Sequence, residues 1–158
     1  MRTFSLLKGL PVYELVSGQK LGEVCDVSIS SNGSVVGLLV KKGAFIKKTY
    51  QIKVGQVESF GWDGVMVRDK KAMEQLEAEP EYTFEHNDGL AGKALLSRDG
   101  EQLGLLEDVY FLEELGTIVG YELSDGFFSD IANGKRVVKT IGPPAIGKDA
   151  IIVTVKPR

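Results

Sequence analysis

The chain has 158 residues, a formal net charge of −3, a single histidine and a single cysteine. Length and an ordinary balance of apolar and charged residues bound it to one average globular domain or two small ones, and exclude disordered, collagenous and disulfide-stapled classes. No stretch has the apolar length of a transmembrane helix, the first nine residues lack the apolar run of a signal peptide, and a lone thiol suits a reducing compartment, so a cytoplasmic protein is expected.

In chain order, Leu10-Pro11-Val12-Tyr13 reads as a short extended segment, with proline where an edge or strand start tolerates it. After the turn Ser17-Gly18-Gln19-Lys20, the stretch Leu21 to Ile29 has apolar residues at 21, 24, 27 and 29. The phase slip and Gly22 predict a strand with a bulge rather than a helix. Asn32-Gly33 supplies a hairpin turn, Val35 to Val40 a buried strand, Tyr50 to Val54 an alternating one, and Val65-Met66-Val67 a closing one. The front half of residues 69–80 is rich in good helix formers and Pro80 would stop a helix, which predicts a short helix or turn of helix in a structural spacer that then runs extended to Asp88. Leu103–Phe111, Ile118–Leu123, Arg136–Val138 and Ala150–Val155 read as further strands, with Pro143-Pro144 marking an irregular segment before the last.

The second half repeats the first. Gly18-Gln19-Lys20-Leu21-Gly22-Glu23-Val24-Cys25-Asp26-Val27 returns as Gly100-Glu101-Gln102-Leu103-Gly104-Leu105-Leu106-Glu107-Asp108-Val109. Val36-Gly37 is echoed by Val119-Gly120, and Gly61-Trp62-Asp63 by Gly147-Lys148-Asp149. Ordered matches mean two copies of one small fold: residues 1–69, a linker over 70–88, and residues 89–158. Units of this size bury little core alone, so contact between the copies is expected. Residues 1–69 hold nine Lys/Arg against six Asp/Glu, a balance of +3, whereas residues 80–158 hold eight against thirteen, a balance of −5. Either the surfaces have drifted, or the two lobes face different partners or attract each other.

Gly-Leu-Pro-Val near the start, then Gly-x-x-Leu-Gly-x-Val-x-Asp-Val, a glycine turn and Val-Val-Gly-Leu-Leu-Val resemble the PRC-barrel family. That family includes the photosynthetic reaction-centre H subunit and the C-terminal domain of the ribosome maturation factor RimM. The resemblance covers nearly the whole chain and is weaker in the second copy, where Leu90-Ala91-Gly92-Lys93 replaces the Leu-Pro start. It implies an all-β chain of two tandem small β-barrels, like the stand-alone tandem proteins of bacteria. It also implies a binding or assembly module without catalysis, an adaptor like some archaeal members or one linked to ribosome assembly or RNA processing.

The search for chemistry agrees. His86 lies in the linker among Glu85, Asn87 and Asp88, and reads as a solvated residue before it reads as a metal ligand or base. Cys25 corresponds to Glu107, so its site tolerates a carboxylate, although a free cysteine is usually a small buried hydrophobe. Asp26 and Asp108 hold matching positions, which favours a turn or bulge hydrogen bond over an acid pair. No phosphate loop or zinc spacing occurs; no enzyme, metal or cofactor is expected. The candidate contact residues are Lys41, Lys42, Phe45, Lys47 and Lys48, where four lysines flank an apolar loop tip between two strands. A solvated loop with Phe45 folded back on the barrel weighs as much as all partners together. Among partners a protein is expected first, because the whole chain is acidic, ahead of RNA gripped through phosphates and stacking and of an anionic membrane surface. The matching loop Ser124–Ile131 keeps the apolar tip but is flanked by acids, so a homo-oligomer formed by basic tip against acidic tip is a further expectation.

Overall fold

A computed structural model describes residues 1–124 and 135–157. The elements are β1 (Arg2–Thr3), a one-turn helix α1 (Phe4–Leu7), β2 (Pro11–Glu14), β3 (Lys20–Ile29), β4 (Val35–Lys42), β5 (Lys48–Lys53), β6 (Val57–Phe60), β7 (Val65–Val67), β8 (Glu74–Gln75), β9 (Tyr82–Thr83), β10 (Ala94–Ser97), β11 (Gln102–Phe111), β12 (Ile118–Ser124), β13 (Lys135–Ile146) and β14 (Ala150–Val155). The chain is all-β, as its repeat predicts. In the second copy β11, β10, β14, β13 and β12 follow one another and β12 returns to β11, which closes a five-stranded barrel. The first copy has the same order, β6-β7-β2-β3-β4-β5, but its sheet is curled and not closed. The difference lies at one corner: β13 is a single long strand, whereas β5 and β6 are separated by a 3-10 turn at Val54–Gln56.

The predicted bulge is present in both copies. Pairing of β3 with β4 shifts register between Val24 and Asp26, and pairing of β11 with β12 shifts between Leu106 and Asp108. Cys25 and Glu107 are the extra residues, and the bulge turns the aspartate that follows each of them inward. Asp26 is fully buried and Asp108 nearly so.

These two aspartates hold the copies together. The Asp26 carboxylate accepts backbone N–H bonds from Phe84 (3.0 Å), Glu85 (3.2 Å) and His86 (2.9 Å), as well as from its neighbour Val27 (2.8 Å). The Asp108 carboxylate accepts from the Ser5 N–H (3.2 Å), the Ser5 hydroxyl and the Val109 N–H (2.9 Å). Each copy therefore caps the turn that leads into the other. The leading strands cross in the same way: β1 pairs with β11 and β9 with β3, with Thr3 opposite Tyr110 and Thr83 opposite Ser28, positions equivalent in the two copies. Phe4 and Phe84 meet at the crossing with ring centroids 4.8 Å apart. The β3–β4 and β11–β12 turns also exchange bonds, Val35 N–H to the Gly116 carbonyl (2.7 Å) and Ile118 N–H to the Gly33 carbonyl (3.0 Å). The result is one continuous apolar core that runs from Phe4 to Val153 through both copies.

Residues 70–88 open with the short turn of helix that local propensity suggests and then run extended. A single 3-10 turn at Lys70–Ala72 is capped by Asp69, whose side chain accepts from the Lys71 N–H at 2.8 Å. β8 and β9 follow, and they pair with β5 and β3. The outer edge of β5 presents unpaired backbone groups, and satisfying them outweighs a weak helix preference. Pro143-Pro144 mark an irregularity before the last strand as expected, though inside a strand and not in a break between strands. Both lie within β13 where its pairing with β14 shifts register between Ile141 and Ala145, a place where a missing N–H costs no ladder bond.

Two stability measurements test this arrangement. Asp26→Ala orphans buried N–H groups on both copies and should lower unfolding free energy by about 3 kcal/mol, read from urea midpoints. Asp108→Ala, with fewer backbone donors, should cost less. Gly116 has φ +78 and an added Cβ would overlap the Val35 carbonyl, whereas Gly100 has φ +86 and open space around it. Gly116→Ala should therefore destabilise well beyond the roughly 1 kcal/mol of positive φ alone, and Gly100→Ala should not.

Candidate functional site

The lysine hairpin stands where β4 leaves the first barrel. Lys41 and Lys42 end β4, Lys48 begins β5, and Lys42 pairs directly with Lys48. The chain turns through Gly43 at φ +133, where an added side chain would run into the Ile46 carbonyl. The apex is formed by Phe45, 101% exposed, and Ile46, 80% exposed. Phe45 does not fold back on the barrel. None of Lys41, Lys42, Lys47 and Lys48 forms an ion pair among the described residues.

Strand register adds neighbours that are remote in sequence. Tyr13 pairs with Lys20, Glu23 with Lys41, and Glu14 with Val67. The end of β2, the start of β3, the β4–β5 tip and the end of β7 therefore share one end of the barrel. This pole carries the exposed apolar residues Leu15 and Val16 beside Phe45 and Ile46. It also carries Lys20, Arg68, Lys70 and Lys71, all exposed, beside the four hairpin lysines. Three carboxylates of this region are already engaged. Buried Glu14 accepts from Ser17 and from the Lys70 N–H, Glu23 pairs with Lys20 at 3.1 Å, and Asp69 caps its own turn. Sequence reasoning isolated the 41–48 loop and passed over Leu15-Val16. Two adjacent aliphatics beside a Ser-Gly turn were the available signal, but their partnership with the hairpin exists only through register. The matching loop of the second copy falls over residues 125–131, outside the described residues.

His86 is both solvated and tethered. Its ring is about half exposed, and Nδ1 lies 2.5 Å from Asp26 Oδ2. The loop that places it contains Asn87 (φ 50) and Asp88 (φ 58), the non-glycine residues with positive φ among those described. A hollow of about 270 Å³ beside the ring is lined by Cys25, Lys41, Thr49, Glu79 and Asn87. Cys25 is half-buried and its thiol donates to the Leu39 carbonyl at 3.4 Å. Burial pushes the thiol's pKa up, outweighing the downward pull of Lys41, so the fold favours the protonated form and not a nucleophilic thiolate. No group of three metal-ligating side chains occurs among the described residues. A groove of about 450 Å³ shared by the two copies is lined by Glu58, Ser59, Glu113 and Glu114.

Comparison with known proteins matches this geometry to a family twice over. The PRC-barrel domain pattern fits residues 1–73 and again residues 86–157. The chain belongs to the PRC-barrel family. It is similar to the "Uncharacterized protein YrrD" of Bacillus subtilis (strain 168), with 34% identity over 140 residues, covering 88% of this chain and 79% of that relative. No catalytic family is indicated for this tandem PRC-barrel protein, and among the described residues no helix is long and apolar enough to cross a membrane.

The thiol gives a pH-dependent check. Because the folded pKa of Cys25 is raised, the thiol's contribution to stability is full below the unfolded pKa and is lost as pH rises through the folded one. A disulfide reagent at neutral pH should label the folded chain much more slowly than the urea-unfolded chain, and the gap should persist as pH climbs through the ordinary thiol range.

Proposed function

We propose that this PRC-barrel protein is a non-catalytic docking module, an adaptor that works in the cytoplasm by engaging an anionic partner through Lys41, Lys42, Phe45, Lys47 and Lys48. One observation carries the reading: a fully exposed phenylalanine stands at the apex of a hairpin whose four lysines have no ion-pair partner among the described residues. Leaving such a ring in water forgoes about 1.5–3 kcal/mol that contact would recover, and unpaired lysines on either side set the sign of what it meets. That partner is either an acidic protein surface, which the lysate test below reads, or an anionic membrane surface, which the further apolar pair Leu15-Val16 at the same pole favours. Work alongside the ribosome or in RNA processing is one setting, argued from family membership alone.

The test uses the whole chain as bait in lysate cleared of membranes and treated with nuclease. The wild type, a variant with the four lysines replaced by alanine, and Phe45→Ala are compared at low and moderate salt. A partner held by the wild type and lost from both variants, with unchanged unfolding midpoints, is the expected result. Equal retention by all three would remove these residues from the contact.

A further inference from the structure

We infer that the anionic partner of the first barrel's basic pole is the surface of a lipid bilayer, onto which the pole docks with Phe45, Ile46, Leu15 and Val16 dipping between headgroups. The inference rests on the reading that this pole is the contact surface, and deepens it by choosing among anionic partners.

The choice follows from the composition of the pole and its shape. Its apolar residues sit on two separate loops, the β2–β3 turn and the β4–β5 tip, and both project from the same barrel end. Three of the four are aliphatic. Cores of protein interfaces are depleted in lysine, and their energetic anchors are Trp, Tyr and Arg more than Leu or Val. Single-stranded nucleic acid is gripped by a series of aromatic faces, and this apex offers one ring. Interfacial membrane anchors have the composition seen here, apolar tips that enter the headgroup boundary and Lys/Arg around them, with long cationic side chains reaching the phosphates while their stems cover apolar surface.

The rest of the molecule is oriented to match. The opposite end of β3 and β4 is the turn bound to the second copy through Val35, Gly116, Gly33 and Ile118. β4 has eight residues, so the second copy begins roughly 25 Å behind the pole. Residues 80–158 carry the −5 balance and residues 1–69 the +3, which puts the acidic lobe on the side away from an anionic surface. One feature tempers the attraction. β8 runs antiparallel to β5, with Gln75 opposite Tyr50 and Glu74 opposite Gln51, so the acidic chain beyond it leaves β8 in the direction of the β4–β5 tip. Glu79 lines the same hollow as Lys41. These carboxylates weaken the field of the pole, which makes docking moderate, salt-sensitive and reversible.

Vesicle flotation of the full chain tests this. Vesicles of phosphatidylcholine with phosphatidylserine should retain the protein at low salt, phosphatidylcholine alone should not, and added salt should release it. Each lysine near a charged surface contributes about fivefold in partitioning, so replacing Lys41, Lys42, Lys47 and Lys48 by Gln should weaken binding by about 100-fold or more. Phe45→Ser with Ile46→Ser should weaken it while leaving the charge intact, and Glu77→Gln with Glu79→Gln should strengthen it. In a Trp62→Phe background, Phe45→Trp should show a blue-shifted emission that brominated lipid quenches. Absence of retention on phosphatidylserine vesicles at low salt, or retention indifferent to the lysine variant, overturns the inference, as does a Phe45→Trp emission unmoved by lipid. If vesicles fail while the membrane-cleared lysate still yields a protein lost from both bait variants, the pole stands as the contact surface and the lipid assignment falls. If both experiments are empty, both readings fall.

Discussion

A carboxylate buried out of water is tolerable only when hydrogen bonds saturate it, and this molecule is assembled around that requirement. Asp26 has no acceptable environment within its own copy, because the backbone around its bulge supplies only the Val27 N–H. The remaining donors come from Phe84, Glu85 and His86, in the turn that opens the second copy. Asp108 makes the reciprocal demand on Ser5. Each copy must therefore lend its leading segment to the other. From that exchange follow the pairing of β1 with β11 and of β9 with β3, the contact of Phe4 with Phe84, and a core that cannot be divided at the linker.

The exchange has the character of a two-fold axis within one chain. Leu10 N–H to Leu7 carbonyl is matched by Lys93 N–H to Leu90 carbonyl, and Gly9 N–H to Val24 carbonyl by Gly92 N–H to Leu106 carbonyl. Even the side chains that fasten the leading strands are equivalent in place, though not in kind. Arg2 donates to the Phe60 carbonyl, and the Tyr82 hydroxyl donates to the Ile146 carbonyl at 3.4 Å. The arginine is 7% exposed, lies 4.6 Å from the Trp62 ring centre and leaves one guanidinium nitrogen unpaired. The tyrosine needs only one partner. Symmetry fails most at residues 85–89, where the second leading turn is three residues longer than the first. There the backbone takes positive φ at Asn87 and Asp88, and His86 reaches the buried aspartate with its ring as well as its backbone.

What was legible in the sequence was whatever is local to one strand. Phase slip at Val24 marked the bulge, Asn32-Gly33 marked the turn, and the matched decapeptides marked the duplication. The illegible part was set by pairing between distant segments. Thr3-Phe4 and Thr83-Phe84 carry the exchange and are identical dipeptides, yet the loop lengths after them differ and displaced them from the simple alignment. β8 looked like helix because its residues favour helices, and only the bare edge of β5 decides otherwise. β10 escaped notice because Ala94-Leu95-Leu96-Ser97 lacks the β-branched signature, and its strand state comes from lying between β11 and β14. The candidate site divided the same way. The hairpin lysines were visible as a cluster, whereas Leu15, Val16, Lys20 and Arg68 join them only through register.

Duplication also explains why a working surface should form where it does. A lone barrel of this type has two free ends. Here the end bearing the β3–β4 turn is consumed by the other copy, through bonds that require Gly33 and Gly116 at positive φ and a close approach of two backbones. Substitutions there are felt across the whole core. Among the described residues the turn and tip at the opposite end make no hydrogen bond or ion pair to the other copy, so the β2–β3 turn and the β4–β5 tip can accumulate charge and exposed apolar side chains at little cost to the fold. The two copies have also parted in charge as whole lobes, +3 for residues 1–69 against −5 for residues 80–158. The geometry that binds the copies together thus leaves the first copy with one unconstrained pole, and that pole has become basic and apolar while the buried aspartate and bulge stay matched to those of the second copy.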